Sequence, residues 1–164
     1  MPIKVWVVGL LVLVGILCWW AAAFAYHTPT FSGKVLRVID GDTLKVAYGT
    51  DAVVVRLYGV DAPETRQRYG WSARAFVHRL VAGHTVTVMS HGHDRYGRLI
   101  GSIYLGTGAN LGQALVEHGL AWWYTSYAPK DVLLAQLEYE ARLHKRGLWA
   151  ARAPVAPWVW RAAH

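Results

Sequence analysis

The sequence predicts an α+β domain that is mainly β, with five strands that close into a barrel and three helices. Two observations support this fold class. Short runs of alternating apolar and polar residues recur between residues 33 and 105, and tight turns join the first three of them, which is typical of a β-meander. A helical pattern falls between the third and fourth runs, and five strands with a helix in that position are the pattern of an OB-type barrel. We also predict a hydrophobic helix ahead of this domain.

The predicted strands follow one another closely along the chain. The first three should pair antiparallel, because the turns Asp40-Gly41-Asp42 and 48–51 are too short for crossover connections. The fourth strand begins at Val86 and ends before His91. Strands are predicted at residues 33–39, 43–48, 52–58, 86–90 and 99–105.

Helices are predicted in three places after the third strand. Apolar residues recur at helical spacing in residues 71–81. Asn110 is placed to cap a second helix that ends before Gly119, and the third helix covers residues 131–146. The tail, residues 151–164, is rich in proline and tryptophan. We expect it to form no regular element and to lie over the domain.

The N-terminal segment is apolar and long. No charged residue occurs from Val5 to Ala25, and a helix of that length can cross a bilayer. Either a retained transmembrane anchor or a signal peptide cleaved near Ala23-Phe24-Ala25 explains it. We favour the anchor because of its length and the aromatic residues at its end, and under either interpretation the rest of the chain is exported. The predicted division is residues 1–27 anchor or signal, 28–150 folded domain and 151–164 tail.

The exported part is basic. The formal net charge of the chain is +7, and only Lys4 contributes a charge before residue 34. A basic exported domain usually meets a polyanion such as nucleic acid, an anionic lipid surface or an acidic glycan, although basicity that serves only solubility is the alternative. Cys18 is the single cysteine and lies in the apolar segment, which excludes disulfides and cysteine metal sites from the exported domain.

Acidic residues cluster where two turns should meet. Asp40 and Asp42 lie in the first turn, whereas Asp61 and Glu64 follow the third strand. In a meander these positions can converge, and carboxylates that converge need a cation, for which calcium tolerates irregular oxygen geometry best. The alternative is that each aspartate is an ordinary turn residue.

Two arginines lie near the same positions. Arg56 is inside the apolar third strand, and Arg98 opens the fifth. Their guanidiniums would bind phosphodiester oxygens bidentately. A structural ion pair for Arg56 and a solvated strand end for Arg98 are the alternatives.

Three segments resemble the signature segments of the staphylococcal nuclease (thermonuclease) family, in the same order. They read VIDGDT at residues 38–43, VRLYGVDAPET at 55–65 and DRYGR at 94–98. The resemblance covers residues 33 to 150, and three ordered motifs are far more specific than any one of them. It implies an OB-fold nuclease domain for the exported part.

The resemblance implies a calcium site and a catalytic set. Asp42, Asp61 and the backbone carbonyl of Ala62 match residues that hold the ion, and Asp40 matches a carboxylate that orients its water. The residue matching Glu64 positions or deprotonates the attacking water. Those matching Arg56 and Arg98 bind the phosphate, and the products carry 3'-phosphate and 5'-hydroxyl ends.

The resemblance also implies three residues that contact the substrate. Tyr96 and Tyr127 match tyrosines that flank the nucleotide, and Arg95 replaces a basic residue near the terminal phosphate. A second family tyrosine is Thr125 here, although Tyr124 is adjacent. The loop after Glu64 is also shorter than in the best-known member. Plain core or surface roles are the alternative for both matching tyrosines.

The sequence therefore predicts a monomeric, calcium-dependent nuclease that acts on DNA and RNA and meets the membrane through its N-terminal helix. A catalytically silent nucleic-acid-binding OB-fold module is the main alternative. A membrane-surface protein that places a basic face on anionic lipid is a third possibility.

Overall fold

A computed structural model describes residues 29–164. The predicted anchor or signal, residues 1–27, lies outside the described residues. Between residues 29 and 164, no helix is both long enough and apolar enough to cross a membrane.

The predicted barrel is confirmed. Five strands close in the order β1-β2-β3-β6-β5, and a further pair, β4-β7, forms a separate two-stranded sheet. Neighbouring strands of the barrel are antiparallel except β3 and β6, which are parallel with Arg56 opposite Ile100. The strands are β1 Thr30–Val38, β2 Thr43–Tyr48, β3 Asp51–Leu57, β4 Val60–Asp61, β5 Thr85–His93, β6 Leu99–Tyr104 and β7 Trp122–Trp123.

The barrel interior is filled by the apolar residues of the alternating runs. Leu44, Val46, Val55, Val88 and Ile103 are completely buried there. Successive side chains of a strand point to opposite faces, so the same alternation that buries these residues turns their neighbours outward. The burial pattern of β6, which alternates along all six residues, shows this directly.

In residues 29–164, four helices accompany the barrel: α1 Gly70–Val81, α2 Leu111–Glu117, α3 Val132–Leu143 and α4 Pro157–Ala163, with a short 3-10 turn at Gly147–Ala150. Asn110 caps α2, as predicted, because its side chain accepts a hydrogen bond from the Gln113 N–H at 3.1 Å. Asp131 caps α3 in the same way, through the Leu134 N–H at 2.9 Å. The third helix is shorter than predicted and ends at Leu143.

The expectation that the tail forms no regular element was wrong. Residues Pro157–Ala163 form α4, and Pro157 occupies the first turn, where the missing N–H of proline costs nothing and its fixed φ suits a helix. Pro154 therefore precedes the helix and Pro157 begins it, and neither interrupts it. The tail does lie against the domain, because Ala156 and Pro157 are buried and Trp158 contacts Trp122 and Tyr124.

Two short pairings bring the polar residues to one end of the barrel. The Leu57 N–H donates to the Asp42 carbonyl at 2.8 Å, which ties the end of β3 to the turn between β1 and β2. Immediately afterwards β4 pairs with β7, with Asp61 opposite Trp122. The turn after β1 and the exit of β3 therefore meet, as the meander predicted.

Candidate active site

A cleft of about 800 Å³ opens where the turn after β1, the exit of β3 and the start of β6 meet. All the residues predicted for catalysis, metal binding and substrate binding line this one cleft: Asp40, Asp42, Arg56, Asp61, Ala62, Glu64, Arg95, Tyr96, Arg98 and Tyr127. Residues more than 80 positions apart in sequence are thus brought together. The cleft also contains Asp94, Tyr124 and Arg161, to which the sequence analysis gave no role.

The turn after β1 holds the Asp42 carboxylate by hydrogen bonds. Asp42 Oδ2 accepts the Ala62 N–H at 2.6 Å, and Oδ1 accepts the Thr43 hydroxyl at 3.0 Å. Asp40 lies beside it, with Oδ1 accepting the Asp42 N–H at 2.9 Å. The contact between Asp42 and the Ala62 N–H fixes the turn against the exit of β3.

Arg56 joins the two halves of the acidic cluster. Its guanidinium lies 3.2 Å from Asp42 and 2.8 Å from Asp61, and both side chains are buried. It also donates to the carbonyls of Leu57 at 3.2 Å and Val60 at 2.8 Å. A buried guanidinium is tolerated when its donors are satisfied in this way. The structure therefore shows the ion pair that is the alternative interpretation of Arg56, and its binding of phosphate stays a prediction.

Two carboxyl groups of the cleft, those of Asp40 and Asp61, have raised pKa values. Burial, followed by the charge of Asp42, raises the pKa of Asp40 to about 6. Burial also raises the pKa of Asp61, although Arg161 and Arg56 oppose the shift. Both shifts show carboxylates in a setting that disfavours further negative charge, and a bound cation relieves that cost.

Glu64 stands at the rim of the cleft on a tight turn. Its carbonyl accepts the Gln67 N–H at 2.8 Å, and its own N–H donates to Gln67 Oε1 at 3.2 Å. Gly70 packs directly against the Glu64 carbonyl, so that a Cβ added at Gly70 would collide with it. The Glu64 side chain is 39% exposed and can be reached by water.

The connection between β5 and β6 supplies the opposite wall. Arg98 pairs with Asp94, with Nε 2.7 Å from Oδ2. Arg95 donates to the Tyr96 hydroxyl at 2.7 Å, and both arginines lie over the Tyr96 ring. Tyr96 is 68% exposed, so its ring is open to a ligand and is not part of the core.

Two further tyrosines, Tyr124 and Tyr127, line the cleft. Tyr127 is 47% exposed, and its ring packs edge to face with that of Tyr124 at 4.9 Å. Tyr124, and not Thr125, lines the cleft. At the place where the family pattern has a tyrosine and this chain has Thr125, the adjacent Tyr124 is the residue in the lining.

Arg161 was missed by the sequence analysis because the tail was expected to have no structure. Its Nη2 donates to Asp61 Oδ2 at 2.7 Å, while Nη1 donates to Glu64 Oε1 at 2.8 Å and to Asp61 Oδ1 at 3.2 Å. A signal was present in the sequence, since Pro157 at a first helical position followed by Trp-Val-Trp-Arg is compatible with a short amphipathic helix. No pattern indicated where that helix would dock.

The donor set fits a hard cation. Within residues 29–164, His, Cys, Asp and Glu side chains form no group of three or more that is arranged to hold a metal ion. Asp42 and Asp61 with the Ala62 carbonyl are a smaller set, of two carboxylates and one carbonyl, which water can complete. Oxygen donors alone favour calcium or magnesium over transition metals.

Comparisons with known proteins agree with this architecture. A family model of staphylococcal nuclease homologues matches residues 54–151. A protein of Escherichia coli O157:H7 described as an uncharacterized endonuclease is 47% identical over 129 residues, covering 79% of this chain and 84% of that protein. The micrococcal nuclease of Shigella flexneri is 36% identical over 142 residues, covering 81% of this chain and 82% of that protein. The chain therefore belongs to the staphylococcal nuclease family.

Proposed function

We propose that this chain is a calcium-dependent nuclease that hydrolyses phosphodiester bonds of DNA and RNA with little sequence preference and leaves 3'-phosphate and 5'-hydroxyl ends. One observation carries the proposal: two buried aspartates, a water-accessible glutamate and two arginines line one cleft. These residues are Asp42, Asp61, Glu64, Arg56 and Arg98. The names endonuclease and micrococcal nuclease, given to relatives that match most of this chain, support the nuclease activity.

The positive charges of the arginines suit the negative charge that develops on the phosphate during hydrolysis. A phosphodiester brings one negative charge and gains another as the attacking oxygen adds, so cations fixed in advance stabilise the transition state more than the substrate. Arg98 lines the cleft from the connection that precedes β6, and Arg56 lines it from β3. A guanidinium stays charged at any relevant pH and can hold two phosphate oxygens at once.

Asp42, Asp61 and the Ala62 carbonyl would hold the calcium ion, and Asp40 would orient a water bound to it. When bound, the ion supplies Lewis-acid stabilisation of the phosphoryl oxygens. The oxygen donors and the pKa values of Asp40 and Asp61, which burial raises, support a cation at this position.

Glu64 would position the attacking water or accept its proton. It lies at the rim of the cleft, and its turn is held by Gln67 and by the close approach of Gly70. A general base must reach the water that it activates, and a partly exposed carboxylate on a rigid turn meets that need.

Exposed tyrosines support the lack of sequence preference. Base stacking on an aromatic ring tolerates any base, because every base has a π-face. Tyr96 and Tyr127 both line the cleft with exposed rings. Arg95, whose guanidinium donates to the Tyr96 hydroxyl, would approach a terminal phosphate.

A gel assay of the purified full-length chain on single-stranded DNA, duplex DNA and RNA tests the activity. We expect degradation with calcium and none after addition of a chelator. Glu64→Gln should lower the rate by about 100-fold or more, within the range of general acid–base catalysis. Glu117→Gln removes an exposed carboxylate outside the cleft and should change nothing. Binding without cleavage would instead support a catalytically silent binding module.

A separate assay tests which end of each product fragment carries the phosphate. Fragments with 5'-hydroxyl ends accept a label from polynucleotide kinase without prior phosphatase treatment. Fragments with 3'-phosphate ends are extended by a polymerase only after phosphatase treatment. The opposite pattern would contradict this part of the proposal.

We further propose that the domain is exported and held at the membrane by residues 1–27. The support is the uncharged stretch Val5 to Ala25 in the sequence. N-terminal sequencing of the mature protein tests it, because an anchor leaves residue 1 or 2 as the terminus and a cleaved signal leaves a residue near 26.

A further inference from the structure

We propose that α4 is an autoinhibitory element, which places the Arg161 guanidinium on Asp61 and Glu64 and so occupies these two carboxylates until a cation and a nucleic acid displace it. The inference rests on the proposed function, since it assigns a regulator to the same cleft. The family match covers residues 54–151, so α4 lies outside the matched region.

The first support is the geometry of Arg161. The guanidinium uses two nitrogens to contact both oxygens of Asp61 and one oxygen of Glu64, at 2.7, 3.2 and 2.8 Å. These two residues are the proposed cation ligand and the proposed base. One side chain therefore engages both, and it does so with the fork geometry that makes arginine a strong partner for carboxylates.

The second support is competition for Asp61. Its Oδ1 atom accepts from Arg56 at 2.8 Å and from Arg161 at 3.2 Å, and its Oδ2 atom accepts from Arg161 at 2.7 Å. Both oxygens are thus engaged by positive charge. A divalent cation that takes Asp61 as a ligand would meet the Arg161 charge at close range in a buried setting, where like charges repel strongly. Cation binding and the Arg161 contact are therefore mutually opposed.

The third support is the aromatic contact of the same helix. The Trp158 ring packs on Tyr124, with centroids 5.4 Å apart, and against Trp122 at 5.6 Å. Tyr124 lines the cleft beside Tyr127, where a nucleotide base is proposed to stack. The helix therefore covers part of the aromatic surface as well as the polar centre.

The tail is attached to the domain by specific contacts, but these contacts are few. Gln67 Nε2 donates to the Val155 carbonyl at 2.6 Å, and Ala156 and Pro157 are buried. The helix itself has only seven residues, and Arg161 remains 44% exposed. Short, partly exposed elements open locally at low cost, which is what a displaceable inhibitor requires.

The distribution of charge explains why the contact forms. Asp40, Asp42, Asp61 and Glu64 share one cleft, and Arg56 contacts only two of them. Arg161 supplies a second guanidinium in contact with these acidic residues. In this arrangement the Arg161 guanidinium neutralises the carboxylates that the cation would otherwise neutralise. Once a cation is bound, the Arg161 contact is no longer needed.

Calcium affinity is the decisive measurement, and it needs no catalysis. Isothermal titration calorimetry of the full-length chain should show that Arg161→Ala binds calcium about tenfold more tightly than the wild type, or about 1.4 kcal/mol. Trp158→Ala, which weakens the docking of α4 without touching the acidic residues, should shift the affinity in the same direction. Arg152→Ala is the matched control, because this tail arginine is exposed and has no described contact in the cleft.

Hydrogen exchange provides an independent measurement on the wild-type chain. The backbone N–H groups of residues 159–163 should exchange faster when calcium is added, because α4 leaves the cleft. The exchange of α1 should not rise. Protection of α4 that is unchanged or increased by calcium would contradict displacement.

The outcomes separate this inference from the proposed function. If Arg161→Ala leaves calcium affinity unchanged or weaker while cleavage falls, Arg161 is a substrate-binding residue and the autoinhibitory role is overturned. If Arg161→Ala binds calcium more tightly but neither chain cleaves nucleic acid, the autoinhibitory contact stands and the nuclease proposal fails. If both hold, cleavage at limiting calcium should rise in Arg161→Ala and in Trp158→Ala but not in Arg152→Ala.

Discussion

Arg98 lies with its Nε atom 2.7 Å from the Oδ2 atom of Asp94, four residues before it in the chain. Asp94 Oδ1 also accepts the backbone N–H groups of Tyr96 and Arg98, each at 2.9 Å. One carboxylate thus fixes the shape of the connection between β5 and β6 and the direction of its arginine. The sequence motif DRYGR contains both residues, but only the structure shows that the aspartate positions the arginine.

Removal of Arg98 should affect catalysis far more than folding. Arg98→Ala should lower kcat about 100-fold to 1000-fold, which is the effect of deleting one preorganised donor to a transition-state charge. The free energy of unfolding should fall by less than about 1 kcal/mol, because the ion pair is partly exposed on the arginine side. Steady-state kinetics and urea unfolding measure the two effects. Arg37→Ala, at an exposed position of β1, is the control, and near-wild-type activity of Arg98→Ala would remove the proposed role.

The ionisation of Asp94 should make the free energy of unfolding depend on pH. Burial alone would raise the pKa of Asp94, but hydrogen bonds from the Arg98 side chain and from the N–H groups of Arg98 and Tyr96 lower it below the ordinary 3.8. A carboxyl whose folded pKa is lowered stabilises the fold above its unfolded pKa, and that contribution is lost as the pH falls through the folded pKa.

Asp94→Asn keeps an oxygen acceptor for the backbone and removes the charge. The wild type should therefore be more stable than this variant at neutral pH. The difference in unfolding free energy should stay constant down to about pH 5 and shrink below about pH 4. Urea unfolding at a series of pH values measures it. A difference that does not change across that range would show that the charge of Asp94 is irrelevant to stability.

Gly70 should be essential to the turn that carries Glu64. A Cβ at this position would collide with the Glu64 carbonyl and lie 2.9 Å from the Cα of Thr65. Gly70→Ala should therefore cost about 1–3 kcal/mol of unfolding free energy and also lower kcat, because the turn must move. Gly106→Ala is the control, since no atom lies within 4 Å of the added Cβ. Thermal unfolding with activity measured on the folded fraction separates the two effects.

The sequence was sufficient for the parts of the fold that rest on periodicity. Alternation such as that of Leu44 and Val46 fixes which face of a strand is buried, and short turns fix which strands are neighbours. It did not reveal β4 and β7, because two-residue strands contain no period to detect. The parallel contact of β3 with β6 was also missed, since it depends on how the barrel closes and not on any local signal.

Some residues of the cleft could also be identified from the sequence, and others could not. Asp42, Asp61 and Arg98 could be identified because their motifs are contiguous in sequence and resemble those of a family. Arg161 could not, because its partner Glu64 lies 97 residues earlier and the contact exists only once α4 has docked. Propensity alone does not predict where a seven-residue helix will dock, since most helix stability in proteins comes from tertiary packing.

Tyr96 should contribute to substrate binding through its ring. The side chain is 68% exposed and lies beneath the guanidiniums of Arg95 and Arg98, so its loss removes no core packing. Stacking of one base on an aromatic ring is worth about 1–3 kcal/mol, and Tyr96→Ala should therefore raise KM at least about fivefold. Tyr96→Phe keeps the ring and loses only the 2.7 Å hydrogen bond with Arg95, so its KM should stay close to that of the wild type.

Tyr139→Ala is the matched control for this pair, because Tyr139 is equally exposed on α3 and does not line the cleft. Steady-state kinetics on a short single-stranded DNA, at saturating calcium, measures all three variants. A rise in KM for Tyr96→Phe as large as that for Tyr96→Ala would assign the effect to the hydroxyl and to Arg95. An unchanged KM in Tyr96→Ala would show that the substrate does not stack on this ring, and the nucleotide would then have to lie against Tyr124 and Tyr127, on the side that Trp158 covers.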